Sequence, residues 1–180
     1  KEKEILNSSH IILPGVGAFP SAMYLINELN LKEILYNAAS KNINLLGICL
    51  GMQLLLTQSE EFKITEGLNL IPGKVKFIKD FSKKNKNLKL PHIGWNQIIK
   101  QNINIKANEI TKNLIETDHF YFVHSFMSLT DNKNDQLFFT KYYDVNVPAI
   151  IGRKNIYGFQ FHPEKSGKSG LKLLQNFINL

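Results

Sequence analysis

With 180 residues, 43% of them hydrophobic and 21% charged, the chain fits one globular domain, residues 1–180, with an ample core. No apolar run approaches the roughly 20 residues that span a membrane, no charged-then-apolar leader ends in a small-residue cleavage site, and a single cysteine excludes an intramolecular disulfide. These features point to a soluble, cytoplasmic enzyme without membrane contact. The net charge of +7 invites a nucleic-acid reading, but much of it lies in Lys74, Lys76, Lys79, Lys83, Lys84, Lys86 and Lys89, around a polar loop without interleaved aromatics. The expectation is a solvated loop and no nucleic acid, with attraction to an acidic partner surface as an extra role.

In chain order, Lys1 to Ser9 lead into His10-Ile11-Ile12-Leu13, read as a short buried strand, and then into Pro14-Gly15-Val16-Gly17-Ala18-Phe19. Two glycines after a strand end can turn backbone N–H groups toward an anion or oxyanion; a plain tight turn fits the local sequence equally well. Pro20 can sit in the first turn of a helix, and Ala22, Leu25, Ile26 and Leu29 recur at its spacing. A second helical stretch runs through Leu31 to Ser40. The apolar run Ile43 to Ile48 reads as a buried strand, and Leu50 to Gln58 carries leucines at helical spacing, so Cys49 falls on the turn between them. Gly47 and Gly51 let strand and helix pack closely and push the sulfur out of the backbone. The positive end of the following helix is expected to lower the thiol pKa toward a usable thiolate. A buried structural cysteine remains the alternative on this stretch alone. The β-α-β-α order predicts a parallel sheet covered by helices, with the glycine loop and Cys49 on one rim.

From Gly67 the pattern changes. Leu68 to Ile78, Leu90 to Ile99, Phe120 to Leu129, Gln136 to Tyr143 and Val147 to Phe161 are rich in branched and aromatic residues and broken by Gly, Asn, Asp and Pro, and so read as strands. Arg153-Lys154-Asn155 looks like a hairpin turn, Lys83 to Lys89 like a mobile loop, and Leu171, Leu174 and Ile178 mark a closing amphipathic helix.

A thiol nucleophile needs a base, and the base needs a partner to fix its tautomer. In Phe159-Gln160-Phe161-His162-Pro163-Glu164 a strand ends in His-x-Glu, and residues i and i+2 of an extended chain share a face, so Glu164 can orient His162 toward Cys49. His10, His92, His119 and His124 read as structural or polar-contact histidines without metal-ligand pairing; neither metal nor cofactor is expected.

Three of these stretches, Pro14 to Phe19, Gly47-Ile48-Cys49-Leu50-Gly51-Met52-Gln53 and Phe159 to Glu164, resemble in order and spacing the motifs of class I (triad-type) glutamine amidotransferases. Pro91-His92-Ile93-Gly94-Trp95-Asn96, Tyr121-Phe122-Val123-His124-Ser125-Phe126 and Lys165-Ser166-Gly167 look more narrowly like the glutaminase subunit of imidazole glycerol phosphate synthase, of histidine biosynthesis. The resemblance implies an α/β, flavodoxin-like fold: a mostly parallel sheet flanked by helices, with a smaller antiparallel strand-rich portion. It implies hydrolysis of L-glutamine through a thioester on Cys49, with His162 as acid and base and Glu164 orienting it. By similarity, Gly15, Val16, Gly17 and Leu50 supply the oxyanion loop, and Gln53, Ser125 and Phe126 complete the glutamine site; Phe126 stands where the family carries a tyrosine. Trp95, Asn96 and Lys165 match positions facing a TIM-barrel cyclase subunit, the partner that uses the ammonia in a heterodimer. The family begins with a further strand and helix before the segment that starts here at Lys1, and their absence predicts lower stability. A paralogous glutaminase serving another synthetase, such as one amidating a surface sugar, and an inactive partner-binding scaffold are the alternative functions.

Overall fold

The computed structural model describes residues 2–84, 87–101, 109–115 and 117–180. Its axis is β2 (Asn44–Cys49), flanked on both sides by parallel partners, β1 (His10–Gly15) and β12 (Ile156–Phe159). The sheet continues antiparallel through β11 (Val145–Arg153), β10 (Gln136–Tyr142) and the short β7 (Ile99–Lys100), in the order β1-β2-β12-β11-β10-β7. The expected α/β architecture is present, and its main sheet is mixed, parallel in one half and antiparallel in the other. A second sheet has the order β4 (Thr65–Glu66), β3 (Gln58–Ser59), β5 (Gly73–Phe77), β9 (Phe126–Thr130), and a third pairs β6 (His92–Gln97) with β8 (His119–His124).

The uninterrupted apolar run of β2 follows from burial on both faces. Leu46 and Ile48 join Phe120, Phe122, Phe159, Phe161 and Phe177 in one cluster, while Leu45 joins Phe19, Met23, Leu50 and Met52 in another. Each fully buried side chain of this size contributes about 1.5–3 kcal/mol relative to exposure. The helices α2 (Phe19–Glu28), α3 (Leu31–Ser40) and α4 (Leu50–Leu54) serve the second cluster, and α5 (Gly167–Ile178) serves the first. A short α1 (Glu2–Leu6) precedes β1.

Several expectations are corrected. The strand His10 to Leu13 is half-buried rather than buried: β1 lies at the sheet edge, and Ile12 is 44% exposed. Helix α4 ends at Leu54, not Gln58, because the carbonyls that would extend it are taken elsewhere: Leu54 by the amide of Leu68, Leu55 by Leu70 and Ile71, Leu56 by Asn69. In α2 the inward residues are Phe19, Met23 and Ile26, while Leu25 and Leu29 are exposed. In α5 they are Gly170, Leu173 and Phe177, while Leu171 and Ile178 are exposed. Gly170 sets that rotation, since it lies so close under the Pro163 carbonyl that a Cβ would collide with it. The segment Phe120 to Leu129 breaks at Ser125 into strands of two different sheets, β8 on β6 and β9 on β5. The hairpin at Arg153-Lys154-Asn155 is present, with Lys154 in the left-handed region at φ 54°.

In the lysine-rich stretch, Lys86 lies outside the described residues. Lys83 and Lys84 are held rather than loose: the Asp144 carboxylate accepts both backbone N–H groups, at 2.8 and 2.9 Å, and the Ser82 hydroxyl at 2.6 Å. Among the described residues no helix is long and apolar enough to cross a membrane.

Candidate active site at the ends of three parallel strands

Register explains why distant motifs meet. Gly15 is opposite Cys49 across β1 and β2, and Ile48 is opposite Phe159 across β2 and β12. The glycine loop, Cys49 and the segment leading to His162 therefore leave one rim, at the carboxyl ends of three adjacent parallel strands, where α/β sheets place their ligand sites.

Cys49 occupies a strained elbow, φ 54° and ψ −110°, a conformation that costs a non-glycine residue about 1–3 kcal/mol and that clusters at functional sites. The neighbouring glycines allow the close approach. A Cβ on Gly47 would stand 2.5 Å from the Gly51 carbonyl oxygen, and one on Gly51 would collide with the Leu13 carbonyl. The expected acidic thiol is not found: burial, helped by the Glu164 charge, pushes the Cys49 thiol up to about 11, with the Leu50 N–H and Lys165 pulling only partly the other way. A five-residue α4 offers too little to outweigh desolvation of a thiolate at a site 8% exposed. The thiol lies 4.0 Å from the Val123 carbonyl. Among the described residues, no hydrogen bond joins it to His162.

His162 is 4% exposed and presents Nδ1 to Glu164 Oε1 at 2.7 Å. Glu164 reaches it from a 3-10 turn, Pro163–Lys165, and not along an extended strand as the i, i+2 argument supposed. Two backbone ties fix His162. Its N–H donates to the Tyr121 carbonyl at 2.9 Å, and its own carbonyl accepts the buried Ser166 hydroxyl at 2.6 Å, which also accepts the Tyr121 N–H at 3.0 Å. A cleft of about 340 Å³ lined by Gly15, Val16, Ile48, His162 and Glu164 opens here. A larger cleft of about 620 Å³, between Ile99, Thr111, Leu114 and Phe138, is lined by neither Cys49 nor His162.

The other expected residues fall as follows. Val16 is 81% exposed at the apex of the glycine loop, and Gly17 has φ 96°, which explains a glycine there. Leu50 is buried, with its N–H turned to the thiol. Gln53 is 5% exposed, and its Nε2 donates to the Phe126 carbonyl and to Gln160 Oε1, both at 3.2 Å. The Ser125 carbonyl accepts the Ile78 N–H at 3.0 Å. Trp95 is no core residue: it is 54% exposed and meets Tyr121 edge-on at 5.9 Å. Lys165 Nζ stands 6.0 Å over that same Tyr121 ring, so Trp95, Tyr121 and Lys165 form one outward surface. Asn96 points to the opposite face of β6, partly buried on the side of His92 and Phe120, against His92 and the Lys141 carbonyl.

Sequence reasoning missed Glu61, whose Oε2 accepts the Phe19 N–H at 2.7 Å and so fastens the end of the glycine loop. A separation of 42 residues and no local pattern kept it hidden. Ser166 was seen only as part of a tail, and the contact between His92 and His124 gave no sequence signal. No group of three or more His, Cys, Asp or Glu residues suited to a metal occurs among the described residues.

An elbow cysteine, a His–Glu pair and a glycine loop on one rim define a thiol-dependent acyl-transfer site. The sequence profile described as Glutamine amidotransferase class-I matches residues 1–180, and the chain belongs to that family. It is 43% identical over 178 residues, 99% of its length and 82% of the relative's, to the imidazole glycerol phosphate synthase subunit HisH of Geobacillus sp. (strain WCH70). It is equally 43% identical over 176 residues, 98% of its length and 82% of the relative's, to the subunit of the same name from Lactococcus lactis subsp. lactis (strain IL1403). Among solved structures, a crystal structure of a glutamine amidotransferase overlays with a TM-score of 0.68 at 15% identity, over 98% of this chain and 83% of that one. The structure of PurLQS from Thermotoga maritima overlays at 0.62 and 19% identity, over 93% and 78%. These two likenesses concern the fold.

Proposed function

We propose that the chain, as one amidotransferase domain in the cytoplasm, is the glutaminase subunit of imidazole glycerol phosphate synthase, hydrolysing L-glutamine to L-glutamate and ammonia. The observation that carries this reading is the 43% identity to HisH subunits over nearly the whole chain, joined to a His162–Glu164 pair on the same rim as an elbow cysteine.

The positions support the following chemistry. His162 Nε2 takes the Cys49 proton as the sulfur attacks the side-chain amide carbon of glutamine, forming a tetrahedral oxyanion. The Leu50 N–H and one N–H from the Gly15, Val16, Gly17 loop hold that oxygen. Collapse breaks the C–N bond, His162 returns the proton to the leaving nitrogen, and ammonia departs, leaving a γ-glutamyl thioester. The same nitrogen then takes a proton from water, whose hydroxide attacks the thioester carbon, and glutamate leaves as the thiol is re-formed. Glu164 keeps Nδ1 protonated throughout, so that Nε2 is the working atom. Gln53, Ser125 and Phe126 bound the glutamine site.

Free ammonia in water at neutral pH takes up a proton and loses its nucleophilic lone pair, which favours delivery to a docked acceptor. The acceptor in this reading is a TIM-barrel cyclase making imidazole glycerol phosphate and aminoimidazole carboxamide ribotide, seated on the Trp95, Asn96 and Lys165 surface. A raised thiol pKa and a thiol not yet bonded to His162 fit a site whose turnover waits for that partner. The test is glutamine turnover by the chain alone, with the cyclase, and with the cyclase and its phosphoribulosyl substrate. Stimulation by the cyclase supports the reading; turnover that the cyclase leaves unchanged assigns the chain to another synthetase; none with any partner marks a scaffold.

A further inference from the structure

Two buried histidines stand outside this reaction, and their contacts run from the outward strand to the glutamine site. His92 on β6 and His124 at the end of β8 are 0% and 6% exposed and face each other in register, with His92 Nδ1 3.1 Å from His124 Nε2. The other nitrogen of His124, Nδ1, lies 2.7 Å from the Phe126 carbonyl oxygen, which also accepts Gln53 Nε2. The other nitrogen of His92, Nε2, lies 2.9 Å from Asn96 Oδ1, and Asn96 Nδ2 lies 3.4 Å from the Lys141 carbonyl. The His92 ring is sandwiched between Tyr142, 4.0 Å away, and Phe122, 4.9 Å away.

The protons in this chain can be placed one by one. A carbonyl only accepts, so His124 carries its proton on Nδ1. Burial holds both rings neutral: it pushes His124 down to about 3, with help from His92, and it lowers His92 as well. Neutral His124 then offers a lone pair at Nε2, which takes the Nδ1 proton of His92. That leaves a lone pair on His92 Nε2, which can accept only if Asn96 turns its Nδ2 inward. Every donor then points one way, from Asn96 to Phe126. The outer end is the loose link. Turning Nδ2 inward reverses the amide of the structure, in which Oδ1 faces His92 and Nδ2 donates to the Lys141 carbonyl at 3.4 Å; once reversed, Oδ1 faces that carbonyl, acceptor against acceptor. A hydrogen-bond donor arriving between Asn96 and the Lys141 carbonyl relieves that mismatch and stiffens the whole chain.

We propose that Asn96, His92 and His124 form a positioning relay, a hydrogen-bond chain of fixed direction that ties the inner face of β6, behind Trp95, to the Phe126 carbonyl and so sets the Ser125–Phe126 segment for glutamine. It rests on the reading above, in which that segment lines the glutamine site and β6 faces the cyclase. A pair of apolar side chains would fill the same space without polar desolvation, so the buried chain has a use beyond filling it.

The test uses the complex of the full chain with the cyclase and its substrate, comparing His92→Phe, which preserves the ring sandwich but neither hydrogen bond, with His92→Gln, whose amide can both donate and accept. The relay predicts that His92→Phe raises KM for glutamine about tenfold, leaves kcat within about twofold and leaves cyclase affinity unchanged, while His92→Gln recovers most of the loss. In the same chain, 15N NMR reads His124 as the neutral Nδ1-protonated tautomer, and Asn96→Leu shifts its ring resonances although His124 does not touch Asn96. An unchanged KM, a loss that tracks a lowered Tm without glutamine rescue, or an Nε2-protonated His124 overturns the relay. If the wild-type complex turns over no glutamine, the function assigned above fails, and the relay is judged by the tautomer and by its response to Asn96→Leu.

Discussion

The thiol of Cys49 gives the most quantitative expectation. Burial carries its pKa from an ordinary 9.0 to about 11. At about pH 8 that change lowers the thiolate fraction roughly 100-fold. A more basic thiolate is also the better nucleophile, and a Brønsted slope of about 0.4–0.5 returns roughly 6–10-fold. The net expectation for the chain alone is alkylation about 10-fold slower than for an unshifted thiol, before any loss of access at a site 8% exposed. Because Cys49 is the only cysteine, modification by iodoacetamide reports on it without ambiguity. The logarithm of the rate should climb with unit slope from neutral pH to beyond about pH 10, and the pH profile separates thiolate population from steric access. Glu164 raises the thiol pKa, so Glu164→Gln moves the inflection down, whereas Lys165→Ala removes a lowering charge and moves it up. A rate that plateaus between pH 7 and 8 would refute the account, since it would mean a resting thiolate.

Further expectations concern packing, the basic loop and the outward surface. Gly51→Ala places a Cβ into the Leu13 carbonyl and should cost about 3 kcal/mol, lowering Tm by roughly 6–12 °C; an unchanged melting curve would mean that β1 and α4 are not in contact. The Asp144 carboxylate is held down to about 2 by the Ser82 hydroxyl and the Lys84 and Lys83 amides. Its contribution is therefore complete above its ordinary pKa near 3.8 and fades as pH falls through about 2. Asp144→Ala should accordingly speed hydrogen exchange at Lys83 and Lys84 at neutral pH, and equal exchange in both proteins would count against the anchor. The Lys165 side chain is exposed and stands over the Tyr121 ring, so Lys165→Ala should shift Tm by less than about 2 °C while reducing stimulation of turnover by the cyclase; full stimulation would remove Lys165 from the interface.

The parts of the site legible in the sequence were those set by local chain geometry. Gly47, Cys49 and Gly51 announced a tight strand-to-helix elbow because close packing at that spacing tolerates little else, and His162 stood two residues from the carboxylate that holds it. Properties that sum over distant neighbours were hidden. The thiol pKa is set by burial in a cluster drawn from β8, β10, β11 and β12 as well as by its own turn, so a local helix-end argument pointed the wrong way. The inward faces of α2 and α5 were misread because both helices carry leucines on their solvent sides, and rotation was decided by Phe19 in one and by Gly170 against Pro163 in the other. Nothing around Ser125 announces that the chain changes sheets there, yet that break brings His124 and Phe126 within one hydrogen bond.

The central claim is that Cys49 attacks glutamine with His162 as its base. It is tested most directly by rapid acid quench of the chain turning over glutamine with the cyclase and its substrate, followed by mass spectrometry of the Cys49 peptide. The account predicts a γ-glutamyl thioester on Cys49, absent in Cys49→Ala and not formed at a measurable rate in His162→Ala. Glutamate release without that adduct, or release that survives Cys49→Ala, would contradict it.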